Sequence, residues 1–166
     1  MASPLNRITT EYIDVEDRIR ICGEAENAAP VVIWLTQRLL NRVLPVLLQW
    51  LERQNANTPR AEALQGFAQQ AARAEMKPQA PVRASKGCAA WLVQSVDVKQ
   101  SAQVVILTFK SIDNQNATLT LAATPLRHWL NILHDTYLKA EWSLDVWPEW
   151  VRDGVLPAKH KALMLH

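Results

Sequence analysis

The sequence predicts an α+β protein with a largely antiparallel sheet, on three observations. Short segments alternate apolar and polar residues with a period of two, as Ile19 and Ile21 do against Arg18 and Arg20. Two longer segments, after Thr36 and after Thr124, repeat apolar residues at intervals of three and four. Turn chemistry at Gly23 to Ala29 and at Asp113 to Asn116 joins strand-like runs directly, which makes hairpins. At 166 residues and 49% hydrophobic residues, the chain is sized for one domain spanning 1–166.

In chain order, Ile13, Val15, Ile19 and Ile21 occupy odd positions while Asp14, Glu16, Arg18, Arg20 and Cys22 occupy even ones. That pattern predicts one strand with a wet face. Pro30 to Leu35 is a second β-rich run, apolar on both faces because of Trp34, and pairs with the first. Thr36 is placed to cap a helix carrying Leu39, Leu40, Val43, Leu44, Leu47, Leu48 and Leu51. Pro45 removes the bond from its own nitrogen to the Asn41 carbonyl, which predicts a kink or a break into two helices. Thr58-Pro59 then offers a cap and a first-turn proline, and Leu64, Phe67, Ala71 and Met76 trace a narrow apolar stripe over a weaker helix at about 59–76. Residues 77–87, with two prolines, three basic residues and no acid, read as an internal flexible linker.

Beyond the linker, Ala90 to Val98 is β-rich, Val105, Leu107 and Phe109 alternate along a strand, and Leu119 and Leu121 alternate along the next. Thr124-Pro125 opens a helix with Leu126, Trp129, Leu130, Leu133, Tyr137 and Leu138. The expected order is β-β-α-(α)-β-β-β-α, about five strands in one sheet with the two main helices on the odd-residue face. The stretches ending at Thr36 and Thr124 follow the same plan, 88 positions apart, which suggests a duplicated β-hairpin-plus-helix. Pro148 suits the first turn of a short helix, and residues 157–166 read as a mobile C-terminal tail.

Charge and cysteines narrow the function classes. The net charge is only +2, and the excess sits in the middle of the chain, where residues 54–101 hold six basic and three acidic residues. That distribution argues against a chain built to cover many phosphates. Cys22 and Cys88 share no C-x-x-C spacing and read as reduced thiols of a cytoplasmic protein. No secretory signal opens the chain, and Leu39 to Leu51 is too short and too interrupted to span a bilayer.

No catalytic, metal-binding or cofactor-binding signature is present. His128 and His134 are six residues apart, about 120° around a helix, so they cannot share an ion from one face. His160 and His166 stand alone near the end of the chain. Four glycines leave no phosphate-cradling loop and no nucleophile elbow. The reading favoured by the sequence is a non-enzymatic protein-interaction protein that self-associates as a homodimer. Its candidate residues are Arg18, Arg20 and Trp34 on the first hairpin, Lys110, and the cluster Trp142, Trp147 and Trp150. Two alternatives stand beside it. The sheet face around Trp34, with Arg18, Arg20 and Lys110, would suit a single-stranded nucleic acid. An enzyme would need a site assembled from distant residues, recognisable as a pocket holding His128 or His134 beside an acid.

Overall fold

The computed structural model describes residues 3–54, 57 and 59–152. Its elements are β1 (Ser3–Pro4), β2 (Arg7–Ile13), β3 (Arg18–Glu24), β4 (Val31–Leu35), α1 (Gln37–Arg53), α2 (Ala61–Glu75), β5 (Ala90–Leu92), β6 (Ser95–Gln100), β7 (Val104–Lys110), β8 (Asn116–Ala122), α3 (Ala123–Ala140) and α4 (Glu149–Arg152). The fold is α+β, but the strands form two mixed sheets of four rather than one sheet of about five. Their orders are β1-β8-β7-β6 and β2-β3-β4-β5.

The strand expected across Ile13 to Ile21 is instead a hairpin. Asp14–Glu16 makes one 3-10 turn, Asp17 turns the chain back in the left-handed region at φ 48°, and β2 pairs antiparallel with β3. The period-two pattern ran through the turn by coincidence, since Val15 is 96% exposed. β2 itself was hidden because Thr10 occupies one of its inward positions, opposite Ile21.

The two halves of the chain are built alike and are woven together. In each, a three-stranded antiparallel meander leads into a long helix. Shifting by 86 positions, the separation of Arg18 from Val104, carries β3 onto β7. The same shift carries the pair Ile19↔Leu35 onto Val105↔Leu121, so the second hairpin repeats the register of the first. The exchange of edge strands obeys it too: β5 joins β4 in parallel with Ala90 opposite Val32, and β1 joins β8 in parallel with Pro4 opposite Thr118. Each half thus gives its first strand to the other half's sheet, a strand-exchanged pseudo-two-fold within one chain. The duplication is therefore larger than a hairpin and a helix, and its offset is 86 rather than 88 because Thr36 and Thr124 are not equivalent. Thr36 caps α1, its Oγ1 accepting from Leu39 N at 3.2 Å, whereas α3 begins at Ala123 with no side-chain cap.

The odd-residue faces of both sheets close on the helices in one core. Ile19, Ile21, Ile33 and Leu35 from one sheet and Val105, Leu107, Leu119 and Leu121 from the other lie in it. Leu40, Leu44 and Leu47 of α1 have their counterparts in Leu126, Leu130 and Leu133 of α3, all buried. Gly23 stands on this face where Leu5 passes after β1; a Cβ there would sit 2.8 Å from Leu5 Cδ2. The expected break in the first helix does not occur, since α1 runs continuously through Pro45. Pro45 lies on the exposed side, and seven buried residues hold the opposite side of α1 to the core.

The 77–87 segment has no regular secondary structure and lies against the outer face of the first sheet. Val82 is buried there with Cys22 and Val32, and its N–H donates to Thr9 Oγ1 at 2.8 Å. Residues 153–166, including the expected tail with His160 and His166, lie outside the described residues.

Candidate interaction surfaces

Sheet register assembles part of the face expected around Trp34. Glu11, Arg20, Trp34 and Leu92 stand in successive strands directly opposite one another, and so point to the same outer side. Arg20 donates to Glu11 Oε2 at 2.6 Å, and its guanidinium carbon lies 6.0 Å from the centre of the Trp34 ring. The hydrogen bond to Glu11 holds Arg20 firmly protonated, above its ordinary pKa. Trp34 is half-buried and packs against the Cys22, Val32 and Val82 cluster. Arg18, opposite Ile13, shares the face near the hairpin turn.

Lys110 does not extend that face. It stands on β7 in the other sheet and forms an ion pair with Asp97. Thr108, Thr118 and Thr120 are likewise on the second sheet. The cations needed to follow a phosphate backbone are therefore split between two sheets, and two of the three are paired with carboxylates.

The C-terminal tryptophans seal the core. Trp142, Trp147 and Trp150 are only 8%, 2% and 5% exposed. Trp142 and Trp147 meet the Tyr137 ring edge to face at 5.0 and 5.4 Å between centres. Trp142 Nε1 donates to Asp17 Oδ1 at 2.9 Å, and Trp150 Nε1 donates to Glu52 Oε1 at 3.2 Å. None of the three is left as a bare anchor on the described surface.

The histidines separate. His134 is buried, its ring edge-on to Trp147 at 5.2 Å, and neither of its nitrogens has a hydrogen-bond partner. Burial lowers its pKa, so it stays neutral. Its neighbour Asp135 turns away to Arg73, at 3.2 Å. His128 lines a half-open cleft of about 430 Å³ that also holds Glu75, Lys77 and Thr9, but it makes no hydrogen bond to an acid there. Among the described residues no three metal-ligating side chains cluster. Burial raises the Cys22 thiol above its ordinary pKa, which leaves it unreactive.

The feature missed in the sequence is the orientation of α2. An apolar stripe is ordinarily the buried side of a helix, yet Leu64 and Phe67 are 39% and 66% exposed while Gln65 and Gln69 are 2% and 1%. Ala71 is exposed and Ala72 buried. Arg127 on α3 accounts for the choice. It donates to Gln65 Oε1 at 2.6 Å and to Gln69 Oε1 at 3.2 Å, and its guanidinium lies over the Trp150 ring at 5.6 Å. Burial pushes the Arg127 pKa down, and among the described residues no carboxylate pairs with it, so the glutamine oxygens and the indole face supply its compensation. The spacing of Gln65, Gln69 and Ala72 at four and three was the available signal.

Compared with protein-family models, curated proteins and solved structures, the chain matches none.

Proposed function

We propose that this protein is a non-enzymatic protein-interaction module that pairs with a second copy of itself along α2. The observation that carries the reading is the outward apolar side of that helix, with Phe67 at 66% exposure. The outward residues of the helix are complementary to themselves. Set antiparallel about a two-fold axis between Phe67 and Ala68, two copies place Leu64 against Ala71 and Phe67 against Ala68. The same axis places Arg60 against Glu75, both exposed at the two ends of that side. Large residues then meet small ones and each charge meets its opposite, as an isologous contact requires.

The test is the molar mass in solution by light scattering at tens of micromolar. The parent chain is expected to run as a dimer and Phe67→Glu as a folded monomer by circular dichroism, with Trp34→Ala still a dimer. A parent mass of one chain, or a Phe67→Glu protein that stays dimeric, would overturn the proposal.

A further inference from the structure

The pseudo-two-fold sets two helix faces side by side for comparison. On α3, Gln69 Nε2 donates to the Arg127 carbonyl oxygen at 3.0 Å and to Asn131 Oδ1 at 2.9 Å. Arg127 and Asn131 are both buried under α2. The shift of 86 carries these positions back to Asn41 and Pro45 on α1, and both of those are exposed. Arg38, Arg42 and Gln49 are exposed on α1 as well. Among the described residues, this face is covered on one helix and its counterpart is open on the other.

Pro45 adds a second observation. It has no N–H, so the Asn41 carbonyl lacks the donor that would reach it in an uninterrupted helix. That oxygen is the counterpart of the Arg127 carbonyl, the one to which Gln69 donates. The Asn41 side chain is held separately, its Oδ1 accepting from the Tyr137 hydroxyl at 2.6 Å. On α1, then, the backbone acceptor that lacks its usual helix donor stands at the position where α3 is met by an amide donor.

Charge selects the occupant. Arg38 and Arg42 are one helical turn apart, and neither forms an ion pair among the described residues. The chain's own C-terminal residues have the wrong chemistry: the same shift carries Gln69 to Val155, which has no donor, and 153–161 contain Lys159 and Lys161 against the single acid Asp153. We infer that the Arg38, Asn41, Arg42, Pro45 and Gln49 face of α1 docks an acidic amphipathic helix of a partner protein, lying on α1 as α2 lies on α3. An Asn or Gln amide of that helix donates to the Asn41 carbonyl, and its carboxylates meet Arg38 and Arg42. This face is separate from the outward stripe of α2 and does not depend on self-association.

The probe is a fluorescein-labelled peptide with the sequence of residues 61–75 carrying Arg73→Glu and Phe67→Glu, which keeps Gln65 and Gln69, lacks the outward Phe67 that pairing along α2 needs, and carries acidic side chains only. Titrated into the full chain and followed by anisotropy, it is expected to bind saturably and more weakly as salt rises. Arg38→Glu with Arg42→Glu is expected to weaken it about tenfold, as reversal of two exposed pairs allows. Pro45→Ala, which returns an N–H to the Asn41 carbonyl, is expected to weaken it several-fold. Lys159→Ala with Lys161→Ala is expected to leave it unchanged. Absence of saturable binding, or binding indifferent to the two arginines or to Pro45, overturns the inference. So does binding altered by the two lysine substitutions, since the chain's own C-terminal residues would then be the occupant. Circular dichroism of each variant checks that the exposed substitutions leave the fold intact.

Discussion

Arg127 donates to Gln65 Oε1 at 2.6 Å in the seam between α3 and α2, and this pair turns a helix that its apolar pattern would have turned the other way. A buried guanidinium with a neutral acceptor is tolerated only while that acceptor is present. Gln65→Leu should therefore destabilise the chain by about 1–3 kcal/mol, the cost of a buried polar group left unmade. Arg127→Met, which removes the charge and keeps the packing on Trp150, should cost less than Gln65→Leu. Urea unfolding midpoints of the two variants check the order, and the reverse order would mean that Arg127 contributes more than it demands.

Asp17 links three parts of the chain through one carboxylate. Its Oδ1 accepts from Tyr12 Oη at 2.8 Å and from Trp142 Nε1 at 2.9 Å. The bond from Trp142, then that from Tyr12, holds the carboxyl below its ordinary pKa, and the Tyr12 phenol is correspondingly raised to about 12. A carboxylate with a lowered folded pKa stabilises above its unfolded pKa, about 3.9, and that contribution is lost as pH falls through the folded value. Thermal unfolding of the parent should therefore lose more on going from pH 6 to pH 3, in round numbers, than that of Asp17→Asn. Equal losses would show that the charge contributes nothing.

His134 behaves oppositely in charge and alike in direction. Burial lowers its folded pKa below the ordinary 6.5, so folding must exclude a proton that the unfolded chain takes up. That penalty is absent above pH 6.5 or so and grows as pH falls below it. Its counterpart in the other half is Leu48, also buried. His134→Leu should flatten the dependence of the unfolding midpoint on pH between about 7 and 5. A midpoint with the same slope in both proteins would show that His134 titrates alike in the folded and unfolded states.

Strand exchange couples the halves. Because β1 completes the sheet of the second half and β5 that of the first, neither sheet keeps its four strands if the other half unfolds. Leu44→Ala and Leu130→Ala, equivalent and fully buried, should each cost about 2–5 kcal/mol. Both should lower a single transition, seen at the same urea concentration by tryptophan fluorescence and by far-ultraviolet circular dichroism. Two separated transitions in either variant would mean that the halves fold independently.

Much of the architecture was legible because periodicity reports which side of an element faces the core. Leu40, Leu44 and Leu47 announced α1 and its inner side, Thr36 announced its start, and the odd residues of β3, β4, β7 and β8 announced the sheet faces. Periodicity failed at β2, where Thr10 stands inward, and at Val15, where a turn continued the beat of the strand. For the candidate surfaces, the sequence brought Arg18, Arg20 and Trp34 together correctly, since they lie on paired strands. It misplaced Lys110, because alternation names a face without saying which sheet the face belongs to.

By itself, then, the sequence determined the α+β class, the two long helices and the buried side of each main strand, all set by residues near one another in the chain. Only the tertiary structure decided the exchange of β1 and β5: β1 has two residues, and the β-rich run from Ala90 holds β5 without saying which sheet it joins. It also decided that Trp142, Trp147 and Trp150 are core and that α2 faces outward with Leu64 and Phe67. Those choices depend on partners far away in the chain: Tyr137 for two of the tryptophans, Arg127 for the glutamines, and Val32 and Thr118 for the exchanged strands. A buried cation seeking acceptors outweighed the hydrophobic stripe of a marginal helix, and no local pattern records that competition.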